Sequence, residues 1–212
     1  KESSKAPEVS ENKIFITVNA NGIEYTFDKT LGVLNTVSNK NGRISFSDGP
    51  KIAHVDATYK ELKHYKKGNN YIVEVITEGG FDFARWTIMG NGWSKLEYAY
   101  GQHGEFDFMG ANFSYPEDQV NGVRMLSNGP YRVWKNRMKG MNIGVWDKPY
   151  NNTVTGASWD YPEFKGYYSE FYWATIDSKE QPFTVVSGTE DLYLRLFTPK
   201  FPEDARNAQA PF

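Results

Sequence analysis

From residue 13 onward the chain alternates short extended runs with turn residues, and no window of a dozen or more residues keeps a helical period. Residues 14–18 (IFITV) and 23–27 (IEYTF) are rich in β-branched and aromatic side chains. Asn21-Gly22 between them is a strong two-residue hairpin signal. Asp28 to Gly32 turns the chain into a run at 33–37, and Asn41-Gly42 turns it again into 43–46. Asp48-Gly49-Pro50 reads as a breaker. Further strands are predicted at 61–67, 71–77, 83–89 and 95–100, separated by Gly68-Asn69-Asn70, Gly79-Gly80 and Gly90-Asn91-Gly92. The second half continues at 141–146, 170–176, 183–186 and 192–197. The expectation is an antiparallel all-β protein, a sandwich or stacked sheets, with strand exceeding helix several-fold.

Residues 1–12 are polar and read as a linker or disordered lead-in. No linker composition interrupts 13–198, which is expected to be one domain, and 199–212 turns polar and proline-rich, as a terminal arm or the cut end of a longer chain. No fixed-period repeat points to a propeller.

One stretch concentrates chemistry. Residues 128–147 (NGPYRVWKNRMKGMNIGVWD) hold a Gly-Pro turn, two tryptophans, a tyrosine and the cations Arg132, Lys135, Arg137 and Lys139, with Lys148 just beyond. In an extended segment Arg132, Trp134 and Asn136 share one face, because strand side chains alternate. An indole flanked by a guanidinium and an amide suits a polyhydroxylated ligand, the ring covering C–H patches and the polar groups binding hydroxyls. Alternatively Trp134 is core and the cations are solvated stems. Unpaired cations resist burial, which places this strand at a rim with Arg132 paired to an acid or pointing into a cleft.

Composition narrows the field. A net charge of −2 and a pI near 6.0 imply no broad attraction to nucleic acid or anionic membrane. The absence of cysteine removes disulfides and thiolate metal sites. No apolar run reaches the roughly 18 residues of a membrane span, and no signal peptide stands at Lys1. Aromatics make up 16% of the 212 residues, which suits both sheet packing and carbohydrate surfaces.

Three segments carry a resemblance. GIEYTFDKTLGVLNTVSNKNG (22–42) resembles the opening of the galactose-mutarotase-like supersandwich domain, an aromatic hairpin with an Asp-Lys-x-x-Gly turn before a hydrophobic strand. NGPYRVWKNR (128–137) is similar to the Gly-Pro segment in the C-terminal β-sandwich of family-two β-galactosidases. DYPEFKGYYSEFYWATI (160–176) resembles that domain's Pro-Gln-Glu-Asn-Gly stretch and following aromatic strand, keeping the proline, an acid and the glycine in altered order. The resemblance implies a supersandwich of two large antiparallel sheets beside a separate catalytic barrel of the same parent chain. A secreted chain whose signal had been removed would read this way, and a periplasmic or extracellular setting is expected.

Catalytic constellations are thin. Among 26 acids, Asp147, Asp160 and Glu163 border the aromatic segments, and turn caps or solvated charges account for each; Glu163, between Pro162 and Phe164, is the one an aromatic setting could desolvate. An epimerase needs an acid–base pair about C1. The histidines are His54, His64 and His103; His64 reads as surface, and the paired-histidine pattern is missing. Glu105 and Asp107 could offer oxygens to calcium, though such pairs are common in loops. No His-x-x-x-His spacing, phosphate loop or dinucleotide fingerprint appears, so neither metal nor cofactor is implied. Asn112 and Asn151 begin glycosylation acceptors. The expected role is a carbohydrate-binding, substrate-shaping domain of a family-two-like glycoside hydrolase with no catalytic residue of its own. Its sugar-facing edge would comprise Arg132, Trp134, Asn136, Trp146, Trp159 and Glu163. The alternatives are a self-contained aldose epimerase or polysaccharide lyase of the same fold, the lyase kept open by the Arg132/Lys135/Arg137 cluster, or a stand-alone polysaccharide-binding module.

Overall fold

The computed structural model describes residues 5–133, 140–150, 153–154, 157–158 and 164–198. Within them the chain is all-β, with antiparallel sheets and a single 3-10 turn. The span expected to be one domain gathers into two compact units, Lys1–Tyr115 and Pro116–Phe212, divided where the sequence shows no linker composition.

The first unit contains β1 (Glu8–Glu11), β2 (Phe15–Ala20), β3 (Ile23–Asp28), β4 (Val33–Asn39), β5 (Gly42–Ile44), β6 (Ser47–Ile52), β7 (Thr58–Lys67), β8 (Asn70–Glu78), β9 (Phe81–Met89), β10 (Ser94–Tyr100) and β11 (Ala111–Ser114). One sheet runs β1-β2-β3-β4-β6-β11 with β5 on β4; the other runs β10-β9-β8-β7. Alternation decides which side chains are buried. In β2, Ile16, Val18 and Ala20 are buried while their neighbours are only partly covered, and β9 buries Ala84, Trp86 and Ile88 in the same rhythm. The two sheets meet over aromatic rings. Trp86 lies edge-on to Phe27 of β3 at 5.8 Å and to Phe113 of β11 at 5.9 Å. Ile52, Val75, Phe81 and Ala84 continue this core.

The Asp28–Gly32 turn shows why its sequence is needed. Asp28 Oδ1 accepts hydrogen bonds from the amides of Thr30 and Leu31 and from the Thr30 hydroxyl. Gly32 follows at φ +69°, where a Cβ would strike Val75 and the Tyr59 ring. The Tyr59 hydroxyl in turn donates to the Lys29 carbonyl at 2.6 Å, tying the turn of one sheet to β7 of the other.

Three expectations change here. Glu8–Glu11 lies in the supposed lead-in, yet it is an exposed edge strand in register with β2, because backbone pairing asks nothing of side-chain polarity. Asp48-Gly49-Pro50 does not break the chain but runs inside β6. The strand tolerates proline because its ladder with β11 shifts register between Asn112 and Ser114 and it meets β4 only at Leu34↔Gly49. β11 itself had no recognised signal.

The second unit begins with a 3-10 turn (Glu117–Gln119), then β12 (Val120–Gly129), β13 (Asn142–Pro149), β14 (Thr153–Val154), β15 (Ala157–Ser158), β16 (Gly166–Tyr168), β17 (Trp173–Ser178), β18 (Phe183–Val186) and β19 (Leu194–Leu196). A four-stranded sheet runs β13-β12-β17-β18, with separate pairs β14-β15 and β16-β19. Its centre is β12, the one long strand that sequence reading passed over. Asn121-Gly122 looks like a turn, but a Cβ at Gly122 would sit 2.7 Å from the Lys148 carbonyl oxygen, so the glycine serves the close approach of β13. The run expected from 170 starts as strand only at Trp173: Glu170 has φ +48°, and the Phe171 amide is diverted to the Leu192 carbonyl.

Candidate functional site

The segment singled out in the sequence leaves the end of β12. Gly129-Pro130 forms a cis peptide, and residues 131–133 are not a regular strand. They are nevertheless fixed. The Val133 amide donates to the Tyr167 carbonyl at 2.6 Å, and Arg132 Nη1 donates to the Lys165 carbonyl at 2.6 Å. Arg132 is only 3% exposed and its stem covers Gly166, whose absent Cβ would meet Arg132 Cδ at 2.9 Å. Its expected place at a rim is therefore corrected. The guanidinium is buried, which is possible because it is hydrogen-bonded and its alkyl stem packs on backbone. Tyr131, one residue earlier, is 49% exposed.

Around this anchor an ionic network closes. Lys165, itself buried, pairs through Nζ with Glu117 Oε1, and the same carboxylate oxygen accepts the Tyr150 hydroxyl at 2.5 Å. Burial first, and then the Glu117 carboxylate, push the Tyr150 hydroxyl pKa up to about 12, so it stays protonated as a donor. The Tyr150 ring lies 5.3 Å from Phe164, whose carbonyl accepts the hydroxyl of the fully buried Tyr168. Lys148 donates to the Pro130 carbonyl at 2.6 Å while its ammonium sits 5.5 Å from the centre of the Tyr168 ring.

Trp146 stands opposite Met125 on the partly covered face of β13 and donates through Nε1 to the Ser127 carbonyl at 3.2 Å. Its ring roofs two glycines: a Cβ at Gly129 would approach it to 2.6 Å, and one at Gly144 to 3.2 Å. Trp146 is thus wedged against backbone and only partly available to a ligand.

Of the sequence-nominated residues, Arg132 and Trp146 belong to this one region, on either side of Gly129-Pro130. Trp134, Asn136, Trp159 and Glu163 lie outside the described residues, as do Lys135, Arg137, Lys139 and Asp160. Asp147 is on the exposed face of β13, 3.6 Å from Arg124 Nε. The histidines are dispersed in the first unit. His64 is held between the Tyr71 hydroxyl at 2.8 Å and Glu11 at 3.0 Å, and His54 packs against Phe108. Among the described residues no three His, Asp or Glu side chains cluster as a metal site, and no helix is long and apolar enough to cross a membrane.

Sequence reading missed Glu117, Tyr150 and Lys165 as partners. Glu117, in the 3-10 turn, lies 33 residues before Tyr150 and further still before Lys165, so no local spacing could join them. Tyr131 was passed over as well: residues 131–133 form no regular strand, so adjacency to Arg132 does not set where its ring lies. No family model matches the chain, and no curated protein sequence matches it.

Proposed function

We propose that this chain is a carbohydrate-binding, substrate-shaping β-sandwich of the galactose-mutarotase-like supersandwich kind. Within a larger family-two-like glycoside hydrolase it would serve a catalytic barrel rather than perform hydrolysis itself. The observation that carries the reading is the Tyr131–Arg132 pair. A solvent-facing aromatic ring sits on a segment held by the Val133 amide bonded to the Tyr167 carbonyl and by the buried Arg132 side chain bonded to the Lys165 carbonyl. A fixed ring loses little freedom when it stacks on a sugar face, so its apolar contact is not spent on ordering the loop. The ions beside it are mutually engaged: Glu117 holds both Lys165 and Tyr150, which suits a scaffold better than a proton-transfer pair.

The test is titration of the chain with galacto-oligosaccharides, followed by aryl-galactoside hydrolysis. Binding weakened several-fold in Tyr131→Ala, with an unchanged melting curve and no turnover, supports the proposal. Turnover that disappears in Glu163→Gln would show instead that the domain carries its own chemistry, and binding unaffected in Tyr131→Ala would remove the platform.

A further inference from the structure

We propose a second saccharide-binding point, in the first unit, at the paired hairpin tips that present Trp93. This site is independent of the one around Tyr131. Trp93 is 53% exposed, yet its backbone belongs to one of the most heavily bonded turns of that unit. The Met89 amide donates to the Trp93 carbonyl at 2.8 Å, the Gly92 amide to the Met89 carbonyl at 3.0 Å, and the Trp93 amide to Asn91 Oδ1 at 3.0 Å. A second hairpin braces the first. Asn21 Nδ2 donates to the Asn91 carbonyl at 3.2 Å, and the buried Tyr25 hydroxyl donates to the Gly92 carbonyl at 2.7 Å. Gly92, at φ +93°, lies close against this neighbour, a Cβ there meeting the Ala20 carbonyl oxygen and Ile23 at 3.2 Å.

The chemistry of the tip selects the ligand. A large indole is left half in water on a turn whose hydrogen bonds are made by backbone and by Asn21, Asn91 and Tyr25. Those bonds use the Asn21 NH2 and the Asn91 Oδ1, so the Asn21 Oδ1 acceptor and the Asn91 NH2 donor are carried on the same two tips as the indole. A flat apolar surface flanked by a neutral donor and acceptor matches a pyranose: its C–H face stacks on the indole and its hydroxyls take the amides. Lys95 and Glu97, which follow Trp93 on the same hairpin, pair with each other at 3.0 Å, and Glu24 of the bracing hairpin accepts from Asn19 and Ser38, so the tip favours a neutral sugar over a uronate or an amine.

The experiment is native affinity electrophoresis of the 212-residue chain through gels containing galactan, xylan, mannan or mixed-linkage glucan, with Trp93→Ala, Trp93→Phe and Tyr131→Ala run beside it. Retardation by at least one polysaccharide is expected, with apparent affinity falling about five-fold or more in Trp93→Ala and less in Trp93→Phe, a stacking contribution of roughly 1 kcal/mol. Trp93→Ala should keep the wild-type circular dichroism and melting curve, because the side chain is 53% exposed and the turn's hydrogen bonds use the Trp93 backbone. The loss should persist in a Tyr131→Ala background, which separates this site from the other. Equal retardation of wild type and Trp93→Ala overturns the proposal, as does absence of retardation by all four polymers. A wild-type dimer that Trp93→Ala turns into a monomer in sedimentation would also overturn it, by assigning the indole to a second copy of the chain.

Discussion

The two units solve the same problem, closing antiparallel sheets over a core, with different materials. In the first, the buried set is aliphatic and aromatic, centred on Phe27 and Trp86, with the partly covered Phe113 against Trp86. In the second, Ser127, Arg132, Lys165, Ser169 and Ser178 are buried among Met125, Phe164 and Tyr168; every buried polar or charged side chain among the described residues belongs to this unit. A hydrophobic core is held by area and tolerates modest changes of shape. A polar one depends on each partner being present, since a buried charge without its partner is costly. The second unit therefore gains fixed geometry around Tyr131, at the risk that any one lost partner loosens it.

The contrast can be broken by mutation. The largest effect is expected from Trp86→Ala, which leaves a cavity between the sheets of the first unit and should cost about 3–5 kcal/mol in denaturant unfolding. Arg132→Met keeps most of the stem's volume but deprives the Lys165 carbonyl of its charged donor, and should cost about 2 kcal/mol. A cost below about 0.5 kcal/mol, the range of a neutral surface change, would mean that the polar interior of the second unit is incidental.

A matched pair of substitutions comes next. Each unit has a cis Gly-Pro peptide whose glycine lies beneath an aromatic ring from a neighbouring strand, Gly49 under Phe113 and Gly129 under Trp146. Alanine at either position must displace a ring packed on backbone, and each change should destabilise by about 1–3 kcal/mol. A Gly129→Ala protein as stable as wild type would show that the Trp146 ring swings aside freely, restoring it as a ligand platform.

The smallest expected effect is one of pH. The Tyr150 hydroxyl is raised to about 12 in the folded chain, above its ordinary value near 10. Folding thus favours the protonated form. The contribution is fully present below pH 10 and is lost as pH rises toward 12. Wild type should lose stability over that window faster than Tyr150→Phe, measured by unfolding at fixed pH values. Parallel slopes for the two proteins would mean that Glu117 does not engage the tyrosine.

Much of the first unit was legible because its rules are local. Alternation, Asn21-Gly22 and the Asp28–Gly32 turn each act within a few residues, and together they fix which face is buried. Gly49-Pro50 misled for the opposite reason. Glycine and proline usually mark turns, but Gly49 lies inside β6, where it makes room for the Phe113 ring of another strand. In the same way Trp86, Phe27 and Phe113 are each recognisable as apolar, while their meeting is not written in any window of sequence.

For the candidate site the division is sharper still. Residue types alone pointed to the neighbourhood of 128–147, because an aromatic and cationic cluster after Gly-Pro is chemically conspicuous. They could not say that Arg132 turns inward and Tyr131 outward, since that depends on the Lys165 carbonyl reached from a distant part of the chain. Nor could they unite Glu117, Tyr150 and Lys165. Secondary structure follows from short-range sterics and side-chain periodicity, which a sequence displays directly. Burial of charge follows from which long-range partners arrive, and that was decided only when the strands packed.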